Sequence, residues 1–459
     1  MRQTNFALAL LAAAALTACG GSDNNTPAAQ AKPVFAAQIS FGDSLSDVGT
    51  YAVGTVAALG GGKYTINGNN TAINAALHGK NWTELMAAQM SLAAPCPAQT
   101  GLKGVAAQGF AVPVVDNLAC FGYAQGGARV AADVGPGNAA TGAAIGQLTV
   151  PVEKQIKAHL ARASVNGAFK ATDIVYVLAG GNDAFMLLGG LTAAATAAGN
   201  TAGGQKLISS LSVKLAVGAT NPTTAATAIA TAMATEAART GSTSATIVGV
   251  GIQTAAGQPG NAAVGSPAVY GPMVAAAQAE ATAAGTAAAT AYGAANGPAL
   301  PPQMADAGTA LAKLVKEQIV AKGATHVVLI NLPDLVSAPS GASQSASSKQ
   351  LIGGMVSAFN IALRLGIDGI EDKVLFVDAY TASVDQVANP SKYGISNATA
   401  VACGANALGT TSLVCKASNT LVGVDVSHYL FADDVHPAPY GQTLLAKLVA
   451  DSLTARGWL

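Results

Sequence analysis

Two segments near opposite ends of the chain carry side chains that could work together as a nucleophile and its base. Ser44 stands two residues after the glycine that breaks a short apolar run, while Asp433 and His436 lie three positions apart close to the end of the sequence. A serine hydroxyl becomes an effective nucleophile only when a neighbouring base takes its proton, and a histidine oriented by a carboxylate can be that base. These residue types therefore predict a hydrolase in which Ser44 attacks, His436 moves the proton and Asp433 orients the imidazole.

Residues near His436 offer further candidates for this triad. An unperturbed histidine pKa of ~6.5 lets His436 accept a proton and later return it. Pro437 follows directly and disfavours a helical conformation at His436. We interpret Asp434 as a solvated or capping carboxylate, with a role in the triad as the alternative. His428, the nearest competing histidine, is interpreted as a structural or rim residue.

Four segments, in this order, resemble the GDSL esterase/lipase family of the SGNH hydrolase superfamily. They are residues 42–47, 123–128, 180–183 and 433–436, which read GDSLSD, YAQGGA, GGND and DDVH. The resemblance extends over about residues 35–185 and 303–459 of the chain. It implies a carboxylic ester hydrolase with a catalytic triad of Ser44, Asp433 and His436.

The same resemblance implies three donors for the oxyanion that forms during ester cleavage. They are the backbone N–H of Ser44, the backbone N–H of Gly127 and the side-chain amide of Asn182. A glycine suits this place because it lets the backbone approach a substrate without a Cβ. The choice between Gly126 and Gly127 stays open, and the chain departs from the family pattern at Gly122, where an asparagine is usual.

Short apolar runs separated by helical patterns indicate the fold class. The runs at residues 38–41, 174–178, 327–330 and 374–377 are interpreted as strands buried on both faces, because polar and apolar residues do not alternate in the last three. Strands alternating with helices predict an α/β fold with a parallel sheet, and the family resemblance implies a three-layer α/β/α arrangement with a flavodoxin-like sheet. Ser44 and Asn182 each follow a strand closely, at the end where such sheets carry their sites.

A long interval between the second and third strand has a different composition. Residues 187–302 are rich in alanine, glycine and threonine, and we predict that they form a mainly helical subdomain inserted into a hydrolase domain of residues 35–459. Within it, residues 245–250 read ATIVGV and are more strand-like. The alternative for the whole interval is a loose, low-complexity insert without a functional role.

The N-terminus has the pattern of a targeting segment. A basic residue at Arg2 precedes an apolar run and the sequence LTAC, which ends at Cys19. Residues 1–19 therefore resemble a bacterial lipoprotein signal with lipidation at Cys19, and residues 20–34 have the composition of a flexible tether. The alternative is an ordinary signal peptide with an incidental cysteine. We expect an exported protein with a lipid anchor in a bacterial membrane, the outer membrane in a Gram-negative host, or else a periplasmic or secreted protein.

Four cysteines remain after Cys19. In an oxidising compartment an even number of cysteines favours disulfides, and three pairings are possible. We prefer local pairing, because each local pair brackets a loop rich in glycine, proline or alanine; four free buried thiols are the alternative. The pairs are Cys96 with Cys120 and Cys403 with Cys415.

The composition and the motifs limit the kinds of molecule that the protein is expected to bind. The 459 residues carry 23 basic and 23 acidic side chains and only 10% charged residues, so there is no basic patch for nucleic acid. No metal-ligand cluster, Walker motif or dinucleotide loop occurs, and we expect no metal and no cofactor. The expected function is an exported serine esterase or lipase acting on ester or lipid substrates through an acyl-enzyme on Ser44. A carbohydrate O-acetylesterase or acyltransferase with the same triad, and a non-catalytic surface lipoprotein, are the alternatives.

Overall fold

The computed structural model describes residues 32–459, so the predicted signal at 1–19, Cys19 and most of the tether at 20–34 lie outside it. The described part contains eight strands and twelve α-helices. The strands are β1 (Ala37–Gly42), β2 (Gln99–Lys103), β3 (Ala111–Asp116), β4 (Asp173–Leu178), β5 (Val327–Ile330), β6 (Val374–Val377), β7 (Asn397–Val401) and β8 (Tyr429–Phe431). The helices are α1 (Gly54–Ala58), α2 (Trp82–Gln89), α3 (Val152–Leu160), α4 (Gly181–Leu215), α5 (Pro222–Ala237), α6 (Ser244–Ala256), α7 (Pro267–Asn296), α8 (Leu300–Leu314), α9 (Pro339–Ala342), α10 (Ala346–Gly366), α11 (Ala379–Ala388) and α12 (Pro439–Arg456).

A four-stranded parallel sheet forms the centre of the fold. Its strand order is β1-β4-β5-β6, with Ile39 opposite Val175 and Val327 opposite Val374. Each of the four apolar runs of the sequence forms one of these strands, so the predicted α/β class with a parallel sheet is confirmed. Beyond β1, the segment 121–123 runs alongside the sheet, because Ser40 N–H donates to the carbonyl of Phe121 at 3.1 Å.

Both faces of this sheet are buried under helices, which explains why its strands are mainly apolar. Gln38 and Ser40 of β1 are buried polar exceptions. In β4, Val175 and Val177 belong to a core shared with α3, α8 and α10, whereas Ile174 and Tyr176 belong to a second core shared with α2 and α12. Side chains alternate between the two faces along a strand, so each face receives every second residue. All six residues of β4 are buried.

The alanine-rich interval is helical, and the strand-like interpretation of residues 245–250 was wrong. These residues lie in α6, which begins with a capping box at Thr243 and Thr246. Val248, Gly251 and Ala255 are its buried residues, and their spacing is that of one helical face. A short β-branched run fits one turn of helix as well as it fits a strand, and the capped, one-sided packing decides for the helix. The predicted bounds at 187 and 302 fall within α4 and α8.

The cysteine pairing predicted from local spacing is confirmed. Disulfides join Cys96 to Cys120 and Cys403 to Cys415. Among residues 32–459, none of the helices combines the length and the apolar character that crossing a bilayer requires.

Candidate active site

The segments singled out in the sequence meet at the carboxyl ends of β1 and β4. Ser44 follows β1 by two residues, and Asn182 lies in the first turn of α4, directly after β4. Gly180 makes that tight strand-to-helix turn possible, because its φ is +121° and a Cβ there would lie 2.4 Å from Cζ of Phe359. The segment that contains Asp433 and His436 connects β8 to α12 and brings His436 against Ser44.

Ser44, His436 and Asp433 form a continuous hydrogen-bonded chain. The distance from Ser44 Oγ to His436 Nε2 is 2.8 Å, and His436 Nδ1 lies 2.9 Å from each carboxylate oxygen of Asp433. Ser44 is half-buried, and Asp433 is buried with 3% of its surface exposed. This geometry lets the imidazole accept the serine proton on one nitrogen while the other nitrogen donates to the carboxylate.

Asp433 is held ionised by donors that the sequence did not reveal. Its carboxylate accepts hydrogen bonds from the backbone N–H groups of Ser412, Val435 and His436 at 2.7, 3.0 and 2.7 Å. Burial would raise the pKa of Asp433, but the His436 imidazole and these N–H donors outweigh burial and hold the pKa well below its usual range. The contact from Ser412 joins positions 21 residues apart, and no local motif signals it.

The charge environment also changes the basicity of His436. Burial would lower the pKa of His436, but the Asp433 carboxylate and its hydrogen bond outweigh burial, so the pKa is raised above its ordinary value. The ring of Tyr64 packs against the imidazole with 4.6 Å between the ring centres. A more basic imidazole accepts the serine proton more readily, provided that it is neutral when the substrate arrives.

The two adjacent glycines differ in what their backbone N–H groups do. The N–H of Gly126 donates to Asp47 Oδ2 at 2.8 Å and is therefore occupied. The N–H groups of Gly127 and Ser44 donate no hydrogen bond in the part of the chain that the structure describes. Gly127 has a φ of +76°, which favours glycine. Of the two glycines, Gly127 is the one with a free donor.

Asn182 is hydrogen-bonded to the loop that contains Gly126 and Gly127. Its side-chain Nδ2 donates to the carbonyl of Ala128 at 2.8 Å, which uses one of its two amide protons and leaves the second. The next residue, Asp183, accepts from Arg129 Nε and from the backbone N–H of Val130, both at 3.0 Å. The start of α4 and residues 126–130 are thus fixed to each other.

Two buried aspartates flank the serine. Burial raises the pKa of Asp43 to about 7, although Asp43 accepts a hydrogen bond from Leu45 N–H. Burial likewise raises the pKa of Asp47 to about 6, and Asp47 accepts hydrogen bonds from Gly49, Thr50 and Gly126. Both carboxylates therefore organise the backbone around Ser44.

Asp434 and His428, the alternative candidates for the triad, lie outside the hydrogen-bonded chain of Ser44, His436 and Asp433. Asp434 is exposed, and its backbone carbonyl accepts a hydrogen bond from Ser340 N–H. His428 places Nδ1 2.9 Å from the carbonyl of Gly394 and stacks on Tyr440 with 4.4 Å between the ring centres. Neither side chain has a hydrogen bond to His436.

A mainly apolar pocket opens beside Ser44 and Asn182, and sequence reasoning had not identified it. Loop 332–338, α11 and α12 contribute most of its lining, including Leu335, Ala379 and Leu448. These segments are distant in sequence and meet only because β5, β6 and the last helix converge on the site. Among residues 32–459, no group of three or more His, Cys, Asp or Glu side chains is arranged to hold a metal ion.

Comparison with known proteins finds partial similarity to plant enzymes. No protein-family profile matches the chain. The chain is 36% identical to the GDSL esterase/lipase APG of Arabidopsis thaliana over 74 residues, which is 16% of this chain and 21% of that protein. Two other GDSL esterase/lipases of the same plant are 35% and 32% identical over 18% and 19% of this chain and 22% and 23% of their own length. The chain thus spans about a fifth of the length of these relatives, and the similarity supports a hydrolase of the GDSL type over a small part of the chain.

Proposed function

We propose that this protein is a serine esterase or lipase that hydrolyses carboxylic esters through an acyl-enzyme on Ser44. The observation that carries the proposal is the 2.8 Å contact between Ser44 Oγ and His436 Nε2, in a chain that continues to Asp433. The GDSL segments and the partial similarity to plant esterase/lipases support the same function.

In the first half of the proposed reaction, Ser44 Oγ attacks the ester carbonyl carbon while His436 Nε2 takes its proton. The carbonyl oxygen becomes an oxyanion that accepts hydrogen bonds from the N–H groups of Ser44 and Gly127 and from the free amide proton of Asn182. When the C–O bond of the leaving group breaks, His436 returns the proton to the leaving alcohol. Asp433 stays ionised and stabilises the imidazolium throughout.

In the second half, water takes the place of the alcohol. His436 accepts a proton from that water as its oxygen attacks the acyl carbonyl carbon, and the same donors bind the second oxyanion. The bond between the acyl group and Ser44 Oγ then breaks, and His436 gives the proton back to Ser44. The products are a carboxylic acid and the regenerated hydroxyl.

The lining of the pocket favours apolar esters, including lipids, over charged or sugar substrates. Burial of an apolar chain against side chains such as Leu335 and Leu448 contributes roughly 0.8 kcal/mol for each CH₂ group. A panel of p-nitrophenyl esters of increasing chain length, with acetylated xylan and peptidoglycan beside it, tests the substrate class. Preference for acyl chains longer than acetate agrees with the proposal, and release of acetate from the polysaccharides alone would favour a carbohydrate O-acetylesterase.

Ser44→Ala tests the chemistry itself. We expect ester hydrolysis to be nearly abolished, with only the residual rate that the oxyanion donors and substrate binding supply. Circular dichroism and melting temperature should stay close to the wild type, because only one hydroxyl is removed. Wild-type protein without hydrolysis, or Ser44→Ala with near-normal hydrolysis, would contradict the proposal and favour a non-catalytic surface lipoprotein or another nucleophile.

We also propose a domain architecture and a cellular location for the protein. Two helix-covered faces support a three-layer, flavodoxin-like hydrolase domain over residues 35–459 with an inserted helical subdomain at about 187–302. Lipidation at Cys19 would anchor the protein to a membrane, the outer membrane in a Gram-negative host. Cys19→Ala is expected to release the protein from membrane fractions, and unchanged fractionation would refute the anchor.

A further inference from the structure

We propose that Tyr51 is a positioning residue for the oxyanion site, acting through the peptide unit that joins Gly126 to Gly127. Tyr51 Oη donates a hydrogen bond to the carbonyl oxygen of Gly126 at 2.7 Å. That carbonyl and the N–H of Gly127 belong to one planar trans peptide unit and point in opposite directions. Whatever fixes the carbonyl therefore also aims the N–H. This inference rests on the proposed function, in which the Gly127 N–H binds the oxyanion.

The hydrogen-bond network fixes the direction of the tyrosine proton. The backbone N–H of Thr149 donates to Tyr51 Oη at 3.2 Å. The hydroxyl has only one proton, and with Thr149 acting as a donor that proton is directed to the Gly126 carbonyl. Tyr51 is fully buried, with 0% of its surface exposed, and burial raises its pKa well above the usual value. The hydroxyl thus remains a neutral donor over the working pH range.

Two adjacent glycines need such a restraint. Glycine lets the backbone approach a substrate, but it also has the largest conformational freedom of any residue. Asp47 holds the peptide unit before Gly126 through the N–H of Gly126, and Tyr51 holds the unit after it through the carbonyl. Gly127, which lies at a φ of +76°, is thereby kept in one orientation before the substrate arrives.

The same hydrogen bond strengthens the donor as well as aiming it. A hydrogen bond to a peptide carbonyl polarises the amide, and chains of hydrogen bonds in a buried site reinforce one another. The Gly127 N–H would therefore stabilise developing negative charge better than an amide whose carbonyl lacks a partner. Preorganised donors of this kind lower the transition state relative to the bound substrate.

Tyr51→Phe removes the hydroxyl and keeps the ring. Removing one oxyanion donor outright costs roughly 10²–10³ in kcat, and a variant that keeps the donor but loses its support should lose less, about tenfold. We expect this loss in kcat with KM changed less than about twofold, and a matching loss of affinity for a boronic acid that mimics the tetrahedral intermediate. Tyr176→Phe is the matched control, since Tyr176 is also fully buried and, within residues 32–459, its hydroxyl has no hydrogen-bond partner other than Met90 Sδ, at 3.9 Å.

The assay separates failure of this inference from failure of the proposed function. Rates are divided by the number of sites titrated with a fluorophosphonate, at a temperature where circular dichroism shows both variants folded. Active wild-type protein together with a Tyr51→Phe variant whose kcat stays within about twofold would overturn the role of Tyr51 and leave the esterase proposal standing. An equal loss in Tyr176→Phe would also overturn it, because any buried hydroxyl would then have the same effect. Wild-type protein that hydrolyses no ester would overturn both.

Discussion

The loops around Ser44 and the helical region distal to the site are stabilised by different kinds of contact. The nucleophile loops, residues 43–50 and 124–130, bond to each other through buried polar groups, such as Thr50 Oγ1 to the carbonyl of Ala124. In the helical region, residues 199–296, threonine hydroxyls return to their own helix instead, as Thr227 and Thr231 do to carbonyls four residues earlier. The first region is held mainly by directional bonds between segments. The second is held mainly by helix geometry and close packing, although Asn261 Nδ2 donates to the carbonyl of Leu215 and Lys206 pairs with Glu280 between α4 and α7.

This difference shows which part of the molecule can tolerate change. A hydrogen bond fixes both a distance and a direction, which an oxyanion site requires, but a buried donor left without its partner costs free energy. Between α4 and α7, Gly199 and Gly285 instead bring two backbones together, and a Cβ on Gly199 would lie 2.8 Å from the carbonyl oxygen of Gly285. Substitutions in the loops should change the rate of reaction, and substitutions in the helical region should change stability alone.

Among the variants that compare the two regions, Asp433→Asn is expected to have the largest effect. The change removes the carboxylate that orients His436 and stabilises its charged form, and we expect kcat near neutral pH to fall by roughly 10³–10⁴. The neighbouring Asp434→Asn is the matched control, because Asp434 is exposed and has no hydrogen bond to His436. Steady-state kinetics give kcat for both variants, and the two losses are compared. Equal losses would show that the triad carboxylate has been assigned to the wrong residue.

Asn182→Ala should come next. Loss of one oxyanion donor is expected to lower kcat by about a hundredfold and to leave KM nearly unchanged. Asn200→Ala, in the same helix but exposed and within the helical region, is expected to leave kcat within about twofold. A loss confined to KM in Asn182→Ala would argue for substrate binding rather than for oxyanion stabilisation.

The pH dependence should show the raised pKa of His436. His436 must be neutral to accept the serine proton, and its raised pKa keeps it protonated to a higher pH than usual. Activity is therefore lost as pH falls through a value above ~6.5, the unperturbed histidine pKa. A profile of kcat/KM against pH measures this limb in the free enzyme. A midpoint at or below the unperturbed value would contradict the assigned electrostatics.

The smallest effect on activity is expected in α4. Gly204 has open space at its Cβ position, and Gly204→Ala should raise the free energy of unfolding by up to about 1 kcal/mol through helix propensity. Gly199→Ala should lower it by about 1–3 kcal/mol, because the new methyl group meets the backbone of α7. Thermal unfolding and kcat are measured for both. A change in kcat beyond about twofold in either variant would show that the two regions are coupled.

The sequence predicted the parts of the site that depend on local pattern. The four strands are mainly apolar because both faces of the sheet are buried, and the segments with Ser44, Asn182 and His436 follow strands or precede a helix. The disulfides were predictable because each closes a short loop. In all these cases the determining residues lie within a short stretch of the chain.

Contacts between segments that are distant in sequence could not be predicted from local patterns. Tyr51 reaches a carbonyl 75 positions away, and the Ser412 N–H that supports Asp433 comes from a separate loop. Most of the lining of the apolar pocket comes from three segments that are far apart in sequence. The helix over residues 245–250 was missed because a short β-branched run has no period, and its conformation is determined by the capping box and the one-sided burial of α6.

Covalent trapping of the nucleophile tests the central claim most directly. The protein is incubated with a fluorophosphonate, digested and analysed by mass spectrometry, and the His436→Ala variant is treated in parallel. We predict a single adduct on the peptide that contains Ser44, and strongly reduced labelling in His436→Ala because the hydroxyl then lacks its base. An adduct on another serine, or an unlabelled protein that still hydrolyses esters, would contradict the account.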